Sequence, residues 1–97
     1  MPTYDALPRF LRDHADLTPE QRREFKRALE RFIADLKAGR RFRRGLRVKG
    51  IQGAEGIYEM TWADDGRATF QYGDAVKEGE THIIWRRVGT HDIFGSP

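Results

Sequence analysis

The chain has 97 residues, of which 34% are charged and 38% apolar, and its formal net charge is +3. This length supports one modest hydrophobic core, so we expect residues 1–97 to form a single domain. No apolar run approaches the roughly 18 residues that span a membrane, and the first residues lack the pattern of a secretory signal, so the cytoplasm is expected. The absence of cysteine excludes disulfides and cysteine nucleophiles, and three scattered histidines do not suggest a zinc site.

The charge is unevenly distributed along the chain. Residues 20–49 carry twelve Lys/Arg against four Asp/Glu, and the remainder carries six against eleven. Such a separation gives the molecule a directional electrostatic field, which bears on its partners rather than on its fold. An anionic partner is one interpretation, and solvated helix arginines are the other.

Two helices are predicted in the N-terminal half of the chain. The first begins near Pro8, since proline is tolerated in the first turn of a helix. The second begins with the capping sequence of Thr18, Pro19 and Gln21, and Gly39 ends it. Its apolar residues recur every three or four positions and form one stripe: Phe25, Ala28, Leu29, Phe32, Ile33 and Leu36.

After Gly39 the apolar period shortens to about two residues, which predicts strands. Four strands are predicted, at residues 46–51, 57–63, 67–72 and 81–88. In the first of them, Arg47 and Lys49 occupy the outer side. Two helices followed by four strands predict an α+β fold, with the helices packed on one face of a curved antiparallel sheet.

The turn between the second and third predicted strands can take two registers. A loop of three residues, 64–66, pairs Met60 with Phe70 and keeps the apolar side chains on one face. A two-residue loop mixes the faces. We therefore expect the three-residue loop, with Glu59 opposite Gln71 on a continuous polar face.

This polar outer face collects side chains that could act on a phosphodiester. Cations beside a carboxylate and an imidazole can hold a phosphate and move protons around it. RNA supplies its own nucleophile, the 2′-hydroxyl, so no metal or other cofactor is expected. Arg86 or Arg87 can join this face, and His91 follows just beyond the last strand. By alternation, the face contains Arg47, Lys49, Glu59, Thr61, Arg67, Thr69 and Gln71.

Each of these side chains also has a structural interpretation. Glu59 and Arg67 can form a cross-sheet ion pair, which contributes about 0–1 kcal/mol when exposed. Arg47 and Lys49 can be ordinary solvent-facing residues, and His91 can fix the tail through a backbone hydrogen bond. The functional interpretation therefore rests on the group as a whole.

The order of these segments resembles a known family. Two helices are followed by Leu46-Arg47-Val48-Lys49, Gly56-Ile57-Tyr58-Glu59, Arg67-Ala68-Thr69-Phe70-Gln71-Tyr72 and a strand ending near His91. A glycine and an aromatic residue open one strand, and an arginine eleven residues after the glycine begins the next. This arrangement, over residues 5–91, is similar to the RelE/ParE superfamily, the toxins of bacterial type II toxin–antitoxin pairs, and to its RelE and YoeB members in particular.

The resemblance implies a small α+β fold with a basic cleft and a cognate antitoxin that inhibits it. In RelE-like members it implies ribosome-dependent, metal-independent cleavage of messenger RNA. Arg67 matches the arginine that steadies the phosphate, and Lys49 resembles a cleft lysine with Arg47 beside it. His91 looks like the general acid, whereas Glu59 is the candidate base on chemical grounds.

Two more arginines are candidates, and the chain differs from the family pattern at several points. Arg86 and Arg87 are added as candidates for phosphate binding. Thr61 stands where many members have an arginine, the chain continues past His91, and only residues 3–6 could supply the family's usual first strand. The alternatives are a ParE-type toxin that acts on DNA gyrase without proton transfer, and an inactive relative that binds RNA or protein only.

Overall fold

The computed structural model describes residues 2–97, in which two helices pack on a five-stranded sheet. The elements are β1 Thr3–Ala6, α1 Pro8–Asp16, α2 Pro19–Lys37, β2 Lys49–Gly50, β3 Tyr58–Thr61, β4 Gly66–Gly73 and β5 His82–Thr90, with 3-10 turns at Arg44–Leu46 and His91–Gly95. The strand order is β1-β5-β4-β3-β2, and β1 runs parallel to β5 while the other pairs are antiparallel. The α+β prediction is confirmed, with β1 as one strand more than the four expected.

Both helices begin where the sequence predicts. At the start of α2, Thr18 Oγ1 accepts a hydrogen bond from the Gln21 N–H at 3.1 Å, and Gln21 Oε1 accepts one from the Thr18 N–H at 2.9 Å. Gly39, with a φ of 66°, follows the end of α2. Within residues 2–97, neither helix is long and apolar enough to cross a membrane.

The helices cover one face of the sheet with aromatic side chains. The ring centroid of Phe32 lies 5.2 Å from those of Phe70 and Trp85, and Phe10 of α1 lies 5.9 Å from Trp85. The side chains of Phe32 and Phe70 are 1% and 0% exposed. Truncating such a phenylalanine typically costs about 3–5 kcal/mol, so this cluster fixes the helices on the apolar face. The opposite face is left for polar side chains.

A buried histidine joins the edge strand β1 to β5. His82 pairs in register with Thr3, and its side chain is 6% exposed. Its two ring nitrogens lie 2.6 Å from Thr3 Oγ1 and 2.9 Å from Asp5 Oδ2. Both polar atoms of the buried ring are therefore satisfied by β1, which holds the short strand in place.

The register of β3 and β4 differs from the prediction by two residues. Met60 pairs with Ala68, and the loop is formed by residues 63–65. Gly66 already belongs to β4, because its carbonyl accepts a hydrogen bond from the Trp62 N–H at 3.0 Å. The Trp62 ring lies over Gly66, where a Cβ atom would meet it at 2.5 Å. Since a shift of two residues keeps each side chain on its own face of the sheet, Glu59, Thr61 and Arg67 still share one face.

The strand predicted at residues 46–51 is mostly replaced by a loop. Arg44–Leu46 form a 3-10 turn, and Arg47 follows in the left-handed conformation. Only Lys49–Gly50 pair with β3. The prediction of a regular strand through Arg47 is therefore wrong. Tertiary contacts fix the path of this segment, and the alternation of apolar and polar residues in the sequence does not reveal them.

A buried carboxylate, Asp35 of α2, makes those contacts. It is 1% exposed. Its Oδ2 accepts hydrogen bonds from the backbone N–H and Nε of Arg43, both at 2.9 Å, and its Oδ1 accepts from Arg43 Nη2 at 2.9 Å and Arg40 Nε at 3.1 Å. The hydrogen bonds from Arg43 hold the pKa of Asp35 far below its ordinary value. The chain after α2 is thereby tied to the helix before β2 begins.

We expect Asp35→Asn to lower the urea midpoint of unfolding at pH 7. Because the folded-state pKa of Asp35 lies below its ordinary value of 3.8, its stabilisation is present above that pH and is lost as the pH falls further. The difference in unfolding free energy between wild type and Asp35→Asn should therefore shrink below about pH 4. Urea unfolding at pH 7 and in this acidic range checks it. Asp74→Asn, at an exposed carboxylate, serves as the control, and a pH-independent difference would contradict the prediction.

Candidate functional site

The sheet face opposite the helices carries a polar cavity of about 300 Å³, which we call the outer groove. The residues lining it are Arg47, Val48, Lys49, Glu59, Thr61 and Arg67. Five of the residues that the sequence places on the polar face therefore share one open surface: Arg47, Lys49, Glu59, Thr61 and Arg67. They come from the loop before β2, from β2 itself, and from the two central strands of the sheet.

Glu59 is the recessed carboxylate of the outer groove. It pairs with Lys49 of β2 and with Thr69 of β4, not with Gln71 as predicted. Its Oε1 lies 4.0 Å from Lys49 Nζ, and its side chain is 13% exposed whereas that of Lys49 is 70% exposed. The ion pair in the groove is thus between Glu59 and Lys49. A carboxylate in this position can accept a proton from a ligand bound above it.

Arg67 is oriented by the turn that precedes it. Its Nη1 donates hydrogen bonds to the carbonyl oxygens of Ala63, Asp64 and Gly66, at 3.2, 3.1 and 2.9 Å. Within residues 2–97, its Nε and Nη2 have no hydrogen-bond partner. The guanidinium is therefore held by one nitrogen, and the other edge is available for a two-point contact with a phosphate.

Arg47 has an unusual backbone conformation. Among residues 2–97 it is the one non-glycine residue with positive φ, at φ 47° and ψ 44°. This left-handed conformation costs an L-residue about 1–2 kcal/mol. Residues held in such conformations cluster at functional sites, and the side chain of Arg47 is exposed in the outer groove.

The C-terminal segment, residues 91–97, covers another part of the outer face. Ile93 is buried beside Gly89, where a Cβ atom would lie 3.0 Å from the Ile93 side chain. The hydroxyl of Thr69 donates to the Pro97 carbonyl oxygen at 3.2 Å, and Thr69 is fully buried. The expectation of a continuous open polar face is therefore wrong, and the outer groove is the part that stays open.

Arg86 and Arg87 contact the C-terminal segment and α1. Arg86 donates from Nε to the Pro97 carbonyl at 3.1 Å and from Nη1 to Gln71. Arg87 forms a two-point ion pair with Asp13, at 2.8 and 3.0 Å. Burial raises the pKa of Asp13, but the hydrogen bonds from Arg87 and from the Val88 N–H, together with the charges of Arg87 and Arg9, outweigh burial and leave the pKa below its ordinary value. Neither arginine lines the outer groove, so their role in phosphate binding stays a prediction.

A β-bulge explains why these two neighbours both meet the outer side. Thr69 pairs with Arg87 and Phe70 pairs with Trp85, so Arg86 is an extra residue in β5. Strict alternation allows only one of two consecutive residues on a given face. The bulge removes that restriction locally.

His91 begins the C-terminal 3-10 turn and is exposed. Its ring lies edge-on to Phe94, with centroids 4.8 Å apart. Gly89, two residues earlier, pairs with Arg67, so His91 follows the end of β5 that borders Arg67. It is not part of the groove lining, and its role as general acid stays a prediction.

A second cavity, of about 660 Å³, adjoins the outer groove and shares Arg47 and Thr61 with it. Arg31 and Arg43 also line it, although nothing in the periodicity of the sequence marks either of them as a site residue. The overlooked signal is Asp35, an acidic residue three positions after Phe32 on the apolar side of α2. A buried carboxylate there needs a cation, and the arginines that follow Gly39 are candidates to supply it.

We expect a comparison of Arg47→Gly with Arg47→Ala to separate the effect of the left-handed conformation on stability from the effect of the lost charge. Glycine adopts the left-handed region without strain, so this variant should be as stable as wild type or up to about 1 kcal/mol more stable. Arg47→Ala keeps the strain and also loses the charge. Urea unfolding and binding to single-stranded RNA check this, since both variants should bind RNA less tightly. Wild-type RNA affinity in Arg47→Gly would show that the guanidinium has no role there.

No protein-family model matches the sequence, and no curated protein matches it. Solved structures resemble it over nearly its whole length. YafQ from E. coli has a TM-score of 0.67 at 12% identity, covering 97% of this chain and 98% of that chain. The E. coli DinJ–YafQ toxin–antitoxin complex has a TM-score of 0.67 at 14% identity, covering 94% of this chain and 93% of that chain.

The RelB–RelE antitoxin–toxin complex from Methanococcus jannaschii has a TM-score of 0.61 at 19% identity, covering 94% of this chain and 94% of that chain. At identities this low, the structural similarity establishes the fold alone, and the activity has to be argued from the site. The chain therefore has the fold of the RelE-type toxins, as the resemblance in its sequence implies.

Proposed function

We propose that this chain is the toxin of a type II toxin–antitoxin pair and that it cleaves messenger RNA on the ribosome without a metal ion. The observation that carries the proposal is the outer groove, where Arg47, Lys49 and Arg67 surround the recessed carboxylate of Glu59. The structural neighbours YafQ and RelE were each solved in a toxin–antitoxin complex, which also supports the proposal.

The groove contains a candidate base, Glu59, and cations that can hold a phosphate, while the candidate acid, His91, lies outside its lining. In the proposed reaction, Glu59 takes the proton of the 2′-hydroxyl, whose oxygen then bonds to the neighbouring phosphorus. Arg67 and Lys49 stabilise the added negative charge on the non-bridging oxygens. The bond to the 5′-oxygen breaks, and His91 is the candidate donor of the proton that this oxygen needs. The products are a 2′,3′-cyclic phosphate and a 5′-hydroxyl.

The size of the groove supports dependence on a larger assembly. A cavity of about 300 Å³ lies at the lower end of the range for ligand sites, so few contacts are available to orient an RNA strand. Correct orientation is a large part of the rate enhancement of such a reaction. The ribosome would supply it, and the basic segment at residues 20–49 suits an RNA surface.

We also propose a cognate antitoxin as the protein partner. The neighbours include complexes of YafQ with DinJ and of RelE with RelB. In this chain, an apolar cavity of about 520 Å³ lies between β1 and the helices. Tyr4 and Leu11 beside it are 71% and 60% exposed. Exposed apolar surface of this kind is typical of a protein interface.

The proposal predicts that Arg67→Ala slows messenger RNA cleavage by about 10²–10³-fold, because one donor to the developing charge is lost. Induced expression in bacteria should arrest growth with the wild-type chain and not with Arg67→Ala. Cleavage is measured with purified ribosomes, and the 2′,3′-cyclic phosphate is identified at the new 3′ end. Arg23→Ala, at an exposed residue of α2, is the matched control and should arrest growth as wild type does.

Melting temperatures separate catalysis from folding, because Arg67 also binds the carbonyls of its own turn. A folded Arg67→Ala that cleaves at the wild-type rate would contradict the site assignment. Cleaved DNA with intact messenger RNA after induction would instead indicate a ParE-type toxin that acts on gyrase.

A further inference from the structure

The second cavity lies between α2, the 3-10 turn at Arg44–Leu46 and the loop that joins β3 to β4. We call it the helix cleft and define it by Arg31, Arg43, Leu46, Arg47, Trp62 and Asp64, which are among the residues that line it. Its volume, about 660 Å³, is twice that of the outer groove and falls within the usual range for ligand sites.

The helix cleft combines cationic walls with an apolar floor. Arg31 reaches it from α2, and Arg43 and Arg47 reach it from the loop, while Asp64 is the one acidic residue among those that line it. Leu46 and Trp62 are 3% and 8% exposed. Guanidinium groups over an apolar surface suit a ligand that has both a phosphate and a planar base.

Arg43 is fixed in this cleft from behind. Its Nε and Nη2 bind the buried carboxylate of Asp35, both at 2.9 Å, and within residues 2–97 its Nη1 has no hydrogen-bond partner. Arg31 is exposed. Of these two arginines, Arg43 is therefore immobilised and Arg31 is free to adjust, and Asp35 neutralises part of the charge of Arg43.

The two cavities are adjacent, because Arg47 and Thr61 line both of them. A chain of phosphates held at Arg67 in the outer groove can pass Arg47 and enter the helix cleft. A globular protein partner could not enter a cavity of this size, whereas one nucleotide of a single strand fits it.

We propose that the helix cleft binds the nucleotide of single-stranded RNA adjacent to the one held in the outer groove, with its phosphate at Arg31 and Arg43 and its base on the apolar floor. This proposal rests on the proposed function, since it takes the outer groove as the site of the reacting phosphate. It adds Arg31 of α2 and Arg43 of the following loop to the residues that contact the substrate.

The test measures binding of a fluorescently labelled RNA octanucleotide in which fluorine replaces every 2′-hydroxyl, so that no internal nucleophile is present. We expect Arg31→Ala to weaken binding roughly fivefold at low salt, since one phosphate contact is lost. The slope of log K against log salt concentration should become shallower by about 0.7, the value for one contact on a single strand.

Lys26→Ala is the matched control. Lys26 is exposed on the same helix, five residues before Arg31 and about 140° around its axis, and its loss removes the same charge away from the cleft. It should leave the slope unchanged, and both variants should melt at the wild-type temperature. An equal effect of the two variants would show a diffuse field instead of a site, and no effect of Arg31→Ala would overturn the proposal directly.

Two further outcomes distinguish this proposal from the proposed function. If the wild-type chain cleaves no messenger RNA but binding still depends on Arg31 alone, the nuclease fails and the cleft stands. If cleavage depends on Arg67 while Arg31→Ala binds RNA as wild type does, the nuclease stands and the cleft fails. Weaker binding of a polyglutamate peptide by Arg31→Ala, with RNA binding unchanged, would assign the cleft to an acidic protein and also overturn the proposal.

Discussion

The buried carboxylate of Asp35 is the constraint on which both cavities depend. By binding Arg43 through its side chain and its backbone N–H, it draws the chain after α2 against that helix. The chain then reaches the sheet through the left-handed Arg47, and this path places Arg47 in the outer groove and Arg43 in the helix cleft. Buried ion pairs often add little net stability over apolar packing. The main contribution of Asp35 is therefore the path that it imposes on the chain after α2, more than the stability that it adds.

The two faces of the sheet have different roles: one packs against the helices, and the other carries the polar side chains of the candidate site. Phe32 of α2 packs against Phe70 and Trp85 on one face, so the helices are fixed there by apolar burial. The other face is divided between the C-terminal segment and the outer groove. This division leaves a small open area in which cations lie close to one recessed carboxylate, Glu59. Such a site can discriminate by charge and shape without requiring movement of the core.

The sequence predicts those features that depend on local chemistry and on strand phase. The capping box at Thr18 and the apolar stripe of α2 are local, and both are confirmed. Strand phase alone places Glu59 and Arg67 on one face, and this holds although the register differs by two residues. The register itself depends on the Trp62 ring lying over Gly66, a tertiary contact that alternation does not encode.

The features that the sequence does not predict arise from contacts between distant segments. The path of the loop at Arg47 depends on Asp35, and the positions of Arg86 and Arg87 depend on a bulge in β5. The covering of Thr69 by the C-terminal segment likewise follows from tertiary packing. Arg31 looks like a solvated helix residue until the loop that faces it is placed. For these residues, the periodicity of the sequence predicts which face of a helix or strand the side chain occupies, but not which residue it contacts.

The pairing of β1 with β5 also affects how the chain folds. Thr3 and His82, which meet in that pairing, are 79 positions apart, whereas the capped helix α2 and the β3–β4 hairpin form from neighbouring residues. Closing so long a loop is entropically costly, and parallel pairing of this kind is slow. During synthesis the ribosome releases β1 well before its partner strand β5. The newly made chain therefore carries an unpaired β1 and an uncovered apolar flank until β5 has emerged.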